Sequence, residues 1–339
     1  MKLPLSLPFL LPGLLLTASL MAAPMPVILD TDMDTDVGDV AALCELNAMA
    51  DNGEVEILGV MVSGKNSWSA PCVDIVNTFY GRPDIPIGVI ARTDRTDPQD
   101  SHYTEKMANS FPQDYQKNRD INFADVLYRQ LLAKAADGSV TIIGIGDLTN
   151  LASLLDTKGD AASPLTGPAL VKQKVAQYVC MGVHIPADTK PDTGKWGNFR
   201  TDPESAKEVL DGWPTMITFT AGGKFAESMS FGKKITVLEP EKWPVSLAYR
   251  TFFGDAWEGR TAHAADSLAV LIAVRGFEPY FKVVDKGNLE VDEIGRDSWH
   301  EESNVDNRRY VNELKNPADA KAVTALMEDL AMQAPKASE

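Results

Sequence analysis

Short apolar runs alternate along this chain with segments whose apolar residues recur at helical spacing. Pro26 to Leu29 is apolar and empties into Asp30, Asp32, Asp34, Asp36 and Asp39, after which Val40, Ala41, Ala42 and Leu43 open a helical pattern. Val55 to Val62 reads as a second strand, closed by the turn cluster Ser63, Gly64, Lys65 and Asn66. Pro71 to Tyr80 carries helical spacing through Val73, Ile75, Val76 and Phe79, and Ile85 to Ile90 is a third apolar run. The alternation continues with a helix from Phe123 to Ala136, a strand from Val140 to Gly146 and a helical run to Leu155. Further strands are predicted at Lys174 to Gly182 and Thr215 to Phe219. Between these two, Asp202, Pro203 and Glu204 open a helix ending near Leu210, with Asp202 as N-cap and Pro203 in the first helical place. A helix from Ala265 to Val274 and an amphipathic one from Ala318 to Met332 follow. Such alternation predicts an α/β fold with a mostly parallel sheet, its sites in loops at the carboxyl ends of the strands.

Two polar loops interrupt the pattern. Residues 92 to 120 are rich in Asp, Thr, Ser and Pro and hold His102, Tyr103 and Phe111, a length that marks a functional flap or a surface loop. The loop after Gly182 holds His184, Trp196 and Asn198. Residues 1–23 carry Lys2, an apolar centre from Leu10 to Leu20 and small residues at Ala22 and Ala23, the pattern of a secretory signal cleaved after Ala22 or Ala23. One domain, 24–339, is then expected as an exported protein, periplasmic or secreted. No other stretch is long and apolar enough to span a membrane.

Composition narrows the partners. A chain of 339 residues, 44% hydrophobic, has ample material for one large α/β domain. A formal charge of −16 argues against nucleic acid and anionic membrane as partners, because polyanion binding needs a basic footprint. A cation or a neutral small molecule fits better, and self-association into a homo-oligomer is left open. Cys44, Cys72 and Cys180 show no metal-ligand or redox spacing and read as buried structural residues.

The acidic loop after the first strand carries the chemistry. Five carboxylates within ten residues repel one another unless a cation sits among them, and hard oxygen ligands suit calcium or magnesium. The D-x-D-x-D opening imitates an EF-hand, but counting from Asp30 places Thr35 where that loop needs Gly and Ala41 where it needs Glu. A solvated acidic surface loop is the bland alternative, opposed by the position of the run at the end of a buried-type strand.

Five fragments in order then resemble the inosine-uridine preferring nucleoside hydrolase family: I-L-D-T-D with V-A-A-L, V-S-G-K-N at 62–66, I-G-D-L-T-N-L-A at 145–152, N-F-R-T-D-P-E-S-A at 198–206 and D-S-L-A-V-L at 266–271. The resemblance covers most of the chain and implies an open, mostly parallel sheet flanked by helices. It implies calcium held by Asp32, Asp39, the main-chain carbonyl of Ile145 and Asp266, with Asp32 also the general base. It further implies ribose contacts from Asn66, Asn198 and Met181, and hydrolysis of the N-glycosidic bond of a nucleoside or related riboside. On residue type alone, Asn66 and Asn198 could equally be turn or capping asparagines.

Three positions depart from the family pattern. Gly38 stands where one of two adjacent aspartates is usual, which makes Asp36 or Asp34 the candidate replacement on the ribose. Trp196 stands in place of a ribose-binding Glu, and Ala265 in place of a His. His263, nearby, and His102 are candidates for the acid that protonates the leaving base, and Trp196 and Trp68 could stack on it. These departures keep a non-catalytic calcium or nucleoside binding protein as the alternative. An aspartyl-phosphate phosphatase is disfavoured by Asp34, where such sites carry Thr or Val.

Overall fold

Val27, Ile28 and Leu29 are fully buried, so the first strand needs apolar cover on both faces. The computed structural model, which describes residues 23–94, 101–115, 121–185, 197–303 and 305–336, supplies it from two packed layers. Val27 and Leu29 point into one cluster with the helices Gly38–Asp51, Ser69–Phe79 and Ala265–Arg275. Ile28 points into the other, with the helices Ala124–Lys134, Thr149–Leu155 and Pro203–Gly212. Alternate residues of one strand thereby anchor opposite helical layers.

The strands are β1 (Met25–Thr31), β2 (Val55–Val62), β3 (Ile87–Val89), β4 (Asn122–Phe123), β5 (Val140–Gly144), β6 (Val175–Val183), β7 (Met216–Ala221), β8 (Asn288–Val291), β9 (Asp297–His300) and β10 (Arg308–Val311). Eight of them form one parallel sheet in the order β10-β7-β6-β5-β1-β2-β3-β4, and β8 with β9 makes a separate antiparallel hairpin. The chain runs outward from β1 in one direction through β4, then returns to β5 and runs out the other way. The reversal lies between β1 and β5, and in open α/β sheets the crevice at such a reversal is where ligands bind. The Ile145 N–H donates to the Asp30 carbonyl at 2.8 Å, which locks the two carboxyl ends together.

The expected elements are present with ends shifted by a few residues, and Asp202 caps its helix by accepting the Ser205 N–H at 3.1 Å. The pattern did not reveal β10, the β8–β9 hairpin or the helices Gly167–Lys174 and Pro244–Phe253. In β10 the reason is visible: Arg308 is buried and donates to the carbonyls of Leu210, Trp213 and Thr215, so a charged residue occupies a core position. Within the long polar loop, Tyr103–Ala108 is helical. Residues 1–22, the bulk of the expected signal segment, lie outside the described residues, and among those described no helix is long and apolar enough to cross a membrane.

Gly146 packs closely against the end of β1. A Cβ there would lie 2.4 Å from the Asp32 backbone nitrogen and 2.8 Å from the Thr31 carbonyl carbon, and neither backbone atom can move without parting β1 from β5. Gly146→Ala should therefore cost about 1–3 kcal/mol of stability, the usual penalty of overpacking. Urea unfolding of the variant beside the unaltered protein measures it, and an unchanged midpoint would contradict the packing described.

Candidate active site

The acidic loop is built by hydrogen bonds that use up two of its five carboxylates. Asp30, at the end of β1, accepts from the Tyr128 hydroxyl at 2.8 Å and from Asn150 Nδ2 at 3.0 Å. Asp34 takes a backbone φ of 108°, in the left-handed region that non-glycine residues seldom enter. The segment 101–104 holds it there: Thr104 Oγ1 donates to Asp34 Oδ1 at 2.7 Å, the Asp34 N–H donates to the Tyr103 hydroxyl at 2.8 Å, and Ser101 Oγ donates to the Asp34 carbonyl. Asn66 joins the same clamp, donating to Asp34 Oδ2 at 2.8 Å and accepting the Trp68 N–H at 2.7 Å.

The remaining acids converge. One carboxylate oxygen each from Asp36, Asp39 and Asp266 lie within 4.8 Å of one another, although Asp266 comes from a helix more than two hundred residues downstream. Asp39 is almost fully buried and accepts from Thr31 Oγ1. Asp36 is half-buried, accepts the Gly38 N–H at 2.6 Å, and lies 3.0 Å from His263 Nε2. Gly38 is what lets Asp266 in, because a Cβ at position 38 would lie 2.1 Å from Asp266 Oδ2.

Burial of like charges shifts every member. Burial, then repulsion from Asp32, Asp266 and Asp36, pushes Asp39 well above the usual carboxylate range, and Asp266 moves the same way for the same reasons. Burial likewise raises Asp30 and Asp32 to about 7. Asp36 alone is lowered: burial opposes its charge, but the neighbouring His263 overrides that, and Asp36 in turn raises His263 to about 10. One buried oxygen, Asp266 Oδ1, has no hydrogen-bond partner among the described residues. Three carboxylates brought this close, one of them carrying an unsatisfied oxygen, form a group able to hold a metal ion.

Above this cluster opens a cavity of about 360 Å³, room for a small-molecule ligand, lined by Asp32, Asp36, Asp266, Ile145, Met181, Asn198 and both His184 and His263 among others. Asn198 Nδ2 donates to the Ile145 carbonyl at 2.9 Å and approaches the Met181 carbonyl at 3.4 Å, tying the ends of β5 and β6 together. Asp32, Asp36, Met181, Asn198, His263, Ile145 and Asp266 thus share one cavity, with Asp39 beneath it. Asn66 lies outside that lining, engaged with the Asp34 clamp, and Trp196 lies outside the described residues. His102 precedes the short helix Tyr103–Ala108 and is also outside the lining.

Sequence reasoning passed over Thr35, Glu227 and the glycines Gly222 and Gly223, which line the cavity, and the pair His184 and Asp297. Only His184 left a signal, as a histidine directly after an apolar strand. Asp297 left none, since its short strand carries no apolar pattern.

A parallel sheet with an acidic, ligand-sized cavity at its reversal point defines an α/β protein built to bind a small polar molecule. The model of the inosine-uridine preferring nucleoside hydrolase family matches residues 27–331, so the chain belongs to that family and is an enzyme of the nucleoside hydrolase class. A plant nucleoside hydrolase is 19% identical with a TM-score of 0.63, the match covering 91% of this chain and 99% of that one. The purine-preferring ribonucleoside hydrolase of Gardnerella vaginalis is 18% identical with a TM-score of 0.64, over 90% and 99%. The type III effector protein XopQ, in complex with adenosine diphosphate ribose, is 16% identical with a TM-score of 0.63, over 92% and 96%. At these identities the likeness is one of fold. No curated protein matches the chain by sequence.

The raised carboxylates make stability depend on pH in a definite direction. Asp30 and Asp32 titrate near 7 in the native state and from 3.8 when unfolded, so between those values the native state holds protons that the unfolded chain has released. Their contribution is full below pH 3.8, is lost as pH rises toward 7, and stays lost above it. In chelator, unfolding free energy should carry this decline, and Asp30→Asn should flatten it. Denaturant titrations at stepped pH read the slope, and identical slopes for the two proteins would contradict the assignment.

Proposed function

We propose that the protein hydrolyses the N-glycosidic bond of a nucleoside or related N-riboside in a calcium-dependent reaction, releasing the base and ribose. The observation that carries this reading is the convergence of Asp36, Asp39 and Asp266 at the floor of a ligand-sized cavity, in a chain of the nucleoside hydrolase family. Related ribosides stay in the substrate class because one similarly folded protein is described with adenosine diphosphate ribose bound.

Calcium takes six to eight oxygens, and Asp32, Asp39, Asp266 and the Ile145 carbonyl are the residues that would hold it. Asp36 supplies the carboxylate that position 38 lacks, either to the ion or to a ribose hydroxyl. A calcium ion there would supply Lewis acidity toward water and an anchor for vicinal hydroxyls.

Asp32 is assigned the proton of the attacking water, since its carboxylate lines the cavity beside the acidic cluster. Asn198 and Met181 form the wall against which the sugar rests. Asn198 contributes without adding charge that would oppose the metal. The transition state is oxocarbenium-like, and the acidic floor favours the positive charge developing on the sugar. Protonation of the departing base falls to a cavity histidine, His263 or His184.

Substitutions separate ligand from base. Asp39→Ala or Asp266→Ala should abolish tight calcium binding, remove the stabilisation that bound calcium confers, and eliminate turnover. Asp32→Asn keeps an oxygen but cannot take the proton, so calcium affinity should fall modestly while turnover falls by about 10²–10⁴. Calorimetric calcium titration and hydrolysis of a nucleoside panel, with and without chelator, measure both. Calcium binding by Asp39→Ala equal to that of the unaltered protein would overturn the metal site.

A further inference from the structure

We infer that His184, held by Asp297, is the acid that protonates the departing base, an assignment that rests on the N-riboside hydrolysis proposed above. His184 directly follows β6 and lines the same cavity as Asp32 and Asp266. Its imidazole packs beside Gly197, where a Cβ would lie 3.7 Å from His184 Cε1, so the ring stands next to the turn that presents Asn198. Asp297 reaches it from β9, an element remote in sequence and outside the main sheet.

Asp297 grips His184 at two points. Its Oδ2 accepts the His184 backbone N–H at 2.8 Å, and its Oδ1 lies 3.5 Å from the ring Nδ1. The Asp297 side chain is 3% exposed while that of His184 is 27% exposed, so a buried carboxylate backs a ring that faces the cavity. A carboxylate behind Nδ1 fixes the ring's orientation, which makes Nε2 the nitrogen that transfers a proton. His263 is placed differently. Its Nε2 is 3.0 Å from Asp36, so that proton is shared with a carboxylate of the acidic cluster. Of the two cavity histidines, His184 is the one whose carboxylate partner stands apart from that cluster.

The step balances without a further reactant. Water oxygen forms a bond to the anomeric carbon as the bond from that carbon to the base nitrogen breaks. The electron pair of the breaking bond stays on the base, which takes the proton from His184, while Asp32 takes the proton from water. Loss of the Asp32 proton to solvent and gain of one by His184 restore the site. A leaving group that departs readily as an anion needs no such acid, and that contrast isolates His184 from residues that merely hold the sugar.

The test compares His184→Gln, Asp297→Asn and His263→Gln on natural nucleosides and on 4-nitrophenyl β-ribofuranoside, whose phenolate leaves unprotonated. His184→Gln should lose about 10²–10⁴ in kcat on nucleosides, the worth of a general acid, and keep near-normal turnover of the nitrophenyl riboside. Asp297→Asn should lose about 10–100-fold on nucleosides, as orienting partners do, with the same selectivity and an unaltered KM. Retained nitrophenyl activity shows in each case that the variant is folded. Equal losses on both substrates, no loss on either, or a leaving-group-selective loss confined to His263→Gln would each overturn the assignment. An unaltered protein that cleaves neither substrate removes the reading beneath it, whereas one that cleaves both leaves the assignment to stand or fall on the variants.

Discussion

Electrostatic repulsion among buried carboxylates is the constraint around which this molecule is arranged. Asp32, Asp36, Asp39 and Asp266 come from two distant segments and crowd together, all but Asp36 buried. At about 4 Å and a protein-like dielectric, two full negative charges repel by on the order of 4 kcal/mol, comparable to a large fraction of a domain's net stability. The fold therefore needs protons, a cationic partner or a metal at this point. His263 beside Asp36 supplies one countercharge, while burial, with repulsion from the neighbouring acids, raises the proton affinities of Asp32, Asp39 and Asp266. A site under that pressure is able to take up a metal ion.

The rest of the sheet bears the cost of holding the acids in place. Parallel strands buried on both faces give a rigid floor, and the reversal of chain direction between β1 and β5 leaves a crevice that no crossover helix can cover. The loop after β1 is shaped by the Asp34 clamp from residues 101–104, so part of the long polar insertion serves the site as a brace. Gly38 and Asp266 are likewise one feature. The absent side chain at 38 is the space that the Asp266 carboxylate occupies, and Asp36 brings its own carboxylate to the same group.

The two histidines of the cavity show how environment divides residues of one type. His263 belongs electrostatically to the acidic floor through Asp36, whereas His184 is backed by Asp297 from a hairpin that contributes nothing to the main sheet. A nucleoside needs opposite things at its two ends, a base for water near the sugar and an acid at the leaving nitrogen. Separately backed groups in one cavity can meet both demands.

The amino-acid sequence by itself determined the strands β1, β2, β5, β6 and β7, the helices around them and the acidic loop. Apolar periodicity and turn chemistry are local, and a strand buried on both faces is written in consecutive residues. It also carried the family, through short fragments whose order survives at low overall identity. Tertiary structure alone decided which of five neighbouring aspartates face the cavity. Asp30 and Asp34 are spent on Tyr128, Asn150, Thr104 and Tyr103, partners about seventy residues or more away that no spacing rule reaches. It decided that Asn66 braces a loop while Asn198 lines the cavity, although both read alike as turn asparagines. It also decided that a short polar strand delivers Asp297 to His184. The physical reason is the same each time: charge and hydrogen-bond partners act through distance in space, and a sequence states distance only along the chain.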